Sequence, residues 1–147
     1  MASDDYSLIA SGLAQGSAPL DAAASFEAFD TVVLCAAEFQ PVMDFGDDKT
    51  KRVIRCPYDD SEFALSPETE AILRKTAKMV VEEHEEGRRV LITCFAGINR
   101  SGLLMGLVLR ERFGLTGAEA IKLIRRKRYG ALSNRAFCRY LIYSAGL

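Results

Sequence analysis

Histidine is nearly missing from this chain: His84 is the only one in 147 residues. With one histidine, set among glutamates, a histidine-rich metal site and a Cys–His nucleophile pair are out of reach. His84 reads as a solvated residue near a helix end. Cysteine is sparse and scattered. Cys35, Cys56, Cys94 and Cys138 form neither a zinc-knuckle spacing nor a Cys-x-x-Cys motif. No apolar run is long enough to span a membrane, and the acidic start Met1-Ala2-Ser3-Asp4-Asp5 lacks the apolar stretch of a secretion signal. A net charge of −1 gives no overall pull toward nucleic acid or anionic lipid. Repeats, low-complexity segments and linkers are absent as well. These absences lead us to expect a single domain over residues 1–147 with free thiols in a reducing cytoplasm. They also lead us to expect no membrane insertion, no metal and no other cofactor.

What is present is unevenly distributed. Residues 1–86 hold 7 Lys and Arg against 18 Asp and Glu, whereas residues 87–147 hold 12 against 2. Short strands are expected at Tyr6–Ala10 and Gly12–Gln15, and β-branched apolar strands at Thr31–Cys35, Arg52–Cys56 and Val90–Thr93. Helical spacing runs over Leu20–Phe29, with a helical turn over Ala36–Pro41. Ser66-Pro67 is a helix start, and that helix ends near Glu86 with Gly87 as its stop. Ile72, Lys75/Thr76, Met79 and Val80 mark its inner face, and Glu82, Glu83, Glu85 and Glu86 its solvated end. Ser101–Phe113 is an almost wholly apolar helix. Thr116-Gly117-Ala118-Glu119 is a capping box for a helix to about Arg128, and Ser133 caps a last helix over Asn134–Leu141. Arg125-Arg126-Lys127-Arg128 reads as a solvated helix face. Alternating strands and helices predict an α/β fold with a central, largely parallel sheet flanked by helices, and sites in such folds lie outside the carboxyl ends of strands.

One stretch concentrates the chemistry. Val90–Thr93 is a buried strand; Cys94 opens a tight loop, Phe95-Ala96-Gly97-Ile98-Asn99, that leads to Arg100, Ser101 and the apolar helix. Such a loop points successive backbone N–H groups inward, and the helix start adds partial positive charge. The cradle suits a phosphate, with Cys94 at its base and Arg100 at its rim. Helix terminus and guanidinium both favour a thiolate over a thiol. Ser101 is placed to hydrogen-bond that sulfur, and Gly97 relaxes the backbone where the loop turns. The basic half of the chain is the half that carries this loop.

The segment resembles the Cys-x5-Arg-Ser/Thr signature loop of protein tyrosine phosphatases, and Ala96-Gly97 with Arg100-Ser101 looks most like the dual-specificity branch. The similarity extends to Gly12-Leu13, Gly16-Ser17, the Pro57–Ser61 loop and Arg125–Phe137. It implies a cysteine nucleophile at Cys94 and phosphate held by the loop residues 95–100. It also implies a general acid from Pro57-Tyr58-Asp59-Asp60-Ser61, a hydrophobic-Pro-x-x-Asp pattern that lands on Asp60, with Asp59 adjacent. Asn134 resembles an asparagine the family places near its active-site periphery, and it also suits a helix cap. One position departs from the pattern: the family usually has histidine before the nucleophile, where this chain has Thr93. The loss bears on rate and on the state of the thiol, not on the type of reaction.

The resemblance implies hydrolysis of phosphate monoesters on protein tyrosine, and on serine or threonine, with a phosphorylated protein or peptide as partner. Phe95, Ala96 and Ile98 bring no lysine into the loop, which disfavours polyanionic inositol phospholipids. The basic half permits an alternative, RNA 5′-phosphatase activity, but near-neutral charge and the lack of an aromatic-basic patch weigh against nucleic acid. A second alternative is a phosphate-binding pseudophosphatase; Thr93 keeps it open, while Cys94, Arg100 and Ser101 argue against it. Cys35 or Cys56 could resolve an oxidised Cys94 as a disulfide, against the plainer reading of both as buried, inert thiols.

Overall fold

The computed structural model describes residues 5–18, 27–36 and 49–147. Most of the expected Leu20–Phe29 helix and Ala36–Pro41 turn lies outside them. Five strands, β1 (Tyr6–Ala10), β2 (Leu13–Gly16), β3 (Thr31–Leu34), β4 (Arg52–Arg55) and β5 (Val90–Thr93), form one sheet in the order β1-β2-β5-β3-β4. Among the described residues, only the β1–β2 edge pair is antiparallel. Among the described residues, four helices follow the sheet's chain order: α1 (Pro67–Glu85), α2 (Arg100–Phe113), α3 (Gly117–Lys127) and α4 (Arg135–Tyr143).

Strand alternation divides the core. Leu13, Val33, Val90 and Ile92 face the helices and join the large cluster with Leu73, Val80, Leu103 and Leu107. Ala14, Val32, Leu34 and Leu91, one residue out of phase, build a smaller cluster with Phe29 on the opposite face. All four residues of β5 are buried because it has a neighbour on each side and cover on each face. Helix α2 packs behind it, with its first ten residues buried.

The registers align the strand ends. Thr93 stands opposite both Gly16 and Leu34, and Leu34 opposite Arg55. Cys94, Cys35 and Cys56 therefore leave the sheet side by side at its carboxyl edge.

Local signals behave mostly as their chemistry dictates. Ser66 caps α1 by accepting from Thr69 N, and Thr116–Glu119 forms the reciprocal capping box of α3. At the end of α1, Gly87 has φ +83°. Its N–H bonds His84 O while Arg88 N bonds Glu83 O, a Schellman ending.

Several expectations are corrected. Asn134, not Ser133, caps the last helix, accepting from Phe137 N. The inner face of α1 is Leu73, Thr76, Ala77, Val80 and Val81, whereas Lys75 and Met79 are exposed. Glu83 is buried rather than solvated. It pairs with Arg52 at 2.7 Å and with Arg88, and accepts from Thr31 Oγ1. His84 is half-buried, its Nε2 2.8 Å from Ser11 O and its Nδ1 accepting from Arg112 Nε at 3.1 Å. These two bonds tie α1 to the β1–β2 turn and to the end of α2.

Asp30 gathers the strand starts. Its carboxylate accepts from Arg89 N at 2.8 Å, Nε at 3.1 Å and Nη2 at 3.1 Å, and Arg52 N donates to its carbonyl. The Arg89 guanidinium and N–H hold this carboxyl well below the usual carboxylate range. A carboxyl held low stabilises the fold above its unfolded-state pKa and loses that contribution as the pH falls through its folded-state pKa. Asp30→Asn is therefore expected to lower the urea midpoint at neutral pH, with a gap from wild type that closes as the pH drops below about 4. A pH-independent gap contradicts this.

Candidate active site

The loop from Cys94 to Arg100 connects β5 to α2, and its carbonyls are held from outside. Phe95 O accepts from Ala18 N at 3.3 Å. Gly97 O accepts from Arg128 Nε at 2.7 Å and from Gln15 Nε2 at 3.1 Å. Ala96 O receives Arg128 Nη2 at 3.4 Å, and Ile98 O receives Leu132 N at 3.1 Å. A trans peptide points its C=O and N–H in opposite directions. Carbonyls turned outward at residues 95–98 therefore turn the N–H groups of residues 96–99 toward the cradle interior, the arrangement that binds an oxyanion.

Glycine is required at the closest approach. Gly97 has φ +70°, and a Cβ there would lie 2.3 Å from Gly16 C and 2.6 Å from Ser17 N. No side chain fits between the loop and the end of β2. Leu132 pays for its place as well, a leucine at φ 57°, a conformation that disfavours a side chain. It packs against the Cα of Gly102 in the first turn of α2.

The candidate side chains converge on this frame. Cys94 is 3% exposed, and its Sγ lies 3.2 Å from Ser101 Oγ. Arg100 is buried, with Nη1 donating to Tyr58 O at 3.2 Å, and the Tyr58 hydroxyl donates to Arg100 O. Burial pushes the Tyr58 hydroxyl up, so it stays a proton donor. Asn99 is the N-cap residue of α2 but makes no capping bond with its side chain. Instead Asn99 Nδ2 donates to Asp60 Oδ2 at 3.1 Å, and its Oδ1 accepts from Ser133 Oγ and Asn134 N. Asn134 Nδ2 donates to the other Asp60 oxygen at 2.7 Å and to Ser61 O. Asp60 is thus fastened to the rim of the loop. Asp59 is exposed beside it. Phe95 and Ala96 present exposed side chains around the mouth, while Ile98 is half-buried.

Thr93 points away from the loop: its hydroxyl donates to Val33 O on β3 at 2.8 Å. Cys35 and Cys56 are fully buried below the cradle. Burial pushes the Cys35 thiol up, and its hydrogen bond to Cys56 pulls the latter down. Among the described residues no three His, Cys, Asp or Glu side chains gather as metal ligands, and no helix is long and apolar enough to cross a membrane.

Three supporting residues escape a reading of the sequence. Gln15 shares the helix-facing phase of Leu13, so a buried amide on that strand was a legible signal. Tyr58 carries none beyond its place in the acidic loop. Arg128 corrects the solvated-face expectation: Arg125, Arg126 and Lys127 are exposed, but Arg128 is buried and also binds the Asp5 carboxylate at 2.7 Å and Ser7 Oγ at 3.2 Å. Its place one residue beyond α3 turns it back under the loop. Arg128→Met leaves two loop carbonyls without their charged donor, at a cost of about 1–3 kcal/mol. We expect inorganic phosphate to bind roughly tenfold more weakly by calorimetry. Unchanged affinity in a folded variant contradicts the role.

The sequence matches the profile of the dual specificity phosphatase catalytic domain over residues 15–145. Among curated protein sequences none matches this chain. Its fold is similar to that of Tk-PTP in the active form, at 28% identity over 93% of each chain with a TM-score of 0.79. It is also similar to human DUSP28, at 20% identity over 95% of this chain and 92% of that one, TM-score 0.74. A third neighbour is PTPMT1 in complex with PI(5)P, at 19% identity over 94% and 92%, TM-score 0.76. With the profile spanning the Cys94–Arg100 loop, the Pro57–Ser61 segment and all four helices described above, the chain belongs to the dual specificity phosphatase catalytic-domain family and is a phosphatase.

Proposed function

We propose that the chain hydrolyses phosphate monoesters on protein tyrosine, and on serine and threonine, through a cysteinyl-phosphate intermediate at Cys94. The observation that carries this reading is the Cys94–Ser101 contact at 3.2 Å, at the base of a loop whose carbonyls are drawn outward. In the first step the Cys94 thiolate attacks phosphorus and the ester oxygen departs, taking a proton from Asp60. Loop N–H groups and the Arg100 guanidinium, oriented by Tyr58 O, stabilise the charge on the equatorial oxygens. In the second step water attacks phosphorus, giving its proton to Asp60, while Cys94 leaves as thiolate and accepts a hydrogen bond from Ser101.

Asp60 is favoured over Asp59 as the acid because both of its oxygens are fixed, by Asn99 at 3.1 Å and Asn134 at 2.7 Å, against the loop that holds phosphate. A positioned carboxyl of this kind contributes roughly 10²–10⁴-fold. Protein substrates are favoured over inositol phospholipids because Phe95, Ala96 and Ile98 offer the cradle no extra cation.

Turnover of an aryl phosphate in EDTA tests the mechanism. Activity is expected to persist in EDTA and to vanish in Cys94→Ser. Asp60→Asn is expected to lower kcat roughly 10²–10⁴-fold and remove the alkaline limb of the pH–rate profile, while Asp59→Asn leaves that limb in place. Metal-dependent turnover, or activity that survives loss of Cys94, contradicts the proposal.

A further inference from the structure

Beside the cradle, two hollows run together along the outer side of α4. The one nearer the loop, about 310 Å³, lies between Glu62, Ser133, Arg135 and Ala136. The larger, about 530 Å³, continues from Glu62 and Arg135 to Leu65, Arg139, Tyr140 and Tyr143. They share Glu62, Arg135 and Ala136, so they form one groove between α4 and the segment that follows Asp60. Its inner end adjoins the Cys94–Arg100 loop: Ser133, in its lining, bonds Asn99 in that loop, and the neighbouring Asn134 bonds Asp60.

The groove has a chemical character. Leu65, Tyr140 and Tyr143 give it an apolar floor and wall. Arg135 and Arg139 are exposed cations four residues apart on one helix face, and among the described residues neither forms an ion pair. Glu62 is the anion in the lining, leaving an excess of positive charge. Resting on the phosphatase reading above, we infer that this groove takes the residues flanking the phosphorylated side chain of a protein substrate and selects acidic ones.

The geometry suits an extended peptide. Four residues of α-helix rise about 6 Å. An extended strand advances about 3.3 Å per residue and turns alternate side chains to one side. Two acidic side chains two positions apart therefore match the spacing of Arg135 and Arg139, with the intervening residue turned away. A small aryl phosphate ends inside the cradle and never reaches the groove.

The test compares synthetic phosphotyrosine peptides carrying Glu, Ala or Lys at alternate flanking positions on either side, with kcat/KM normalised to each enzyme's turnover of a small aryl phosphate. Wild type is expected to prefer the Glu peptides over the Lys peptides by a few-fold to about tenfold, the scale of partly exposed ion pairs, with the preference fading as salt rises. Arg135→Glu/Arg139→Glu is expected to invert the order, and Glu62→Gln to sharpen it. If wild type and the double variant rank the peptides alike, the inference fails while the phosphatase reading stands. A preference for triphosphate-ended RNA over every peptide also overturns it. If wild type turns over no aryl phosphate, the phosphatase reading fails; the groove is then judged by anisotropy with fluorescent phosphonate peptides, where equal affinity for Glu and Lys peptides overturns it.

Discussion

The site depends on one constraint: the carbonyl groups of residues 95–98 must face outward so that the following N–H groups face inward. Left to itself, a short loop between a strand and a helix has no reason to orient four successive peptides alike. Here the donors come from three separate parts of the chain: Ala18 after β2, Gln15 on β2, and the Arg128–Leu132 turn after α3. The inward-facing row of N–H groups is built by what grips the loop from behind. Arg128 brings the one charged donor among them, its guanidinium binding Gly97 O and Ala96 O on one side and the Asp5 carboxylate on the other. Asp5 is held below its usual carboxylate range by that arginine, so the pairing is present across the neutral range and lost only in acid.

The sheet supplies the reach for these contacts. Parallel pairing of β2, β5 and β3 brings Gly16, Thr93 and Leu34 to one level. The chain can then pass from Gly16 directly against Gly97, a contact that leaves no room for a side chain on the loop. The same alignment buries Cys35 and Cys56 beneath Cys94. Behind the loop, the buried start of α2 fixes Arg100 and Ser101 in successive positions, one toward Tyr58 and the other toward the sulfur. In front, Asn99 gives up the usual capping role of its position and uses its side chain to join Asp60 to the start of α4. The loop, Asp60 and the groove along α4 thus share one hydrogen-bonded junction.

Much of this was legible in the sequence because it is written in local chemistry. A β-branched run, a cysteine, a glycine, an arginine and an apolar helix follow one another within a short stretch, and each acts on its neighbours. Ser66-Pro67 and Thr116–Glu119 likewise read correctly, since a cap is a contact over three residues. Two local readings failed, the Ser133 cap and the placing of Lys75 and Met79 on the inner face of α1, but the larger failures concern partners distant in sequence. Glu83 looks like its solvated neighbours until Arg52 and Arg88 are brought to it by the sheet. Arg128 looks like Arg125, Arg126 and Lys127 because a run of basic residues does not show which one turns inward. His84 reads as solvated for the same reason: Ser11 and Arg112 are far along the chain in either direction. Asn134 illustrates a middle case, since its cap role and its contact with Asp60 use different atoms of one amide and both hold.

The central claim is that sulfur at the base of this cradle takes the phosphoryl group. It is tested most directly by acid-quenching the enzyme during turnover of an aryl phosphate and locating bound phosphate by mass spectrometry. The account predicts a single phosphate on Cys94, accumulating to a higher level in Ser101→Ala, where the departing thiolate has lost its hydrogen bond. Phosphate on another residue, or none on Cys94 while product is being released, would contradict it.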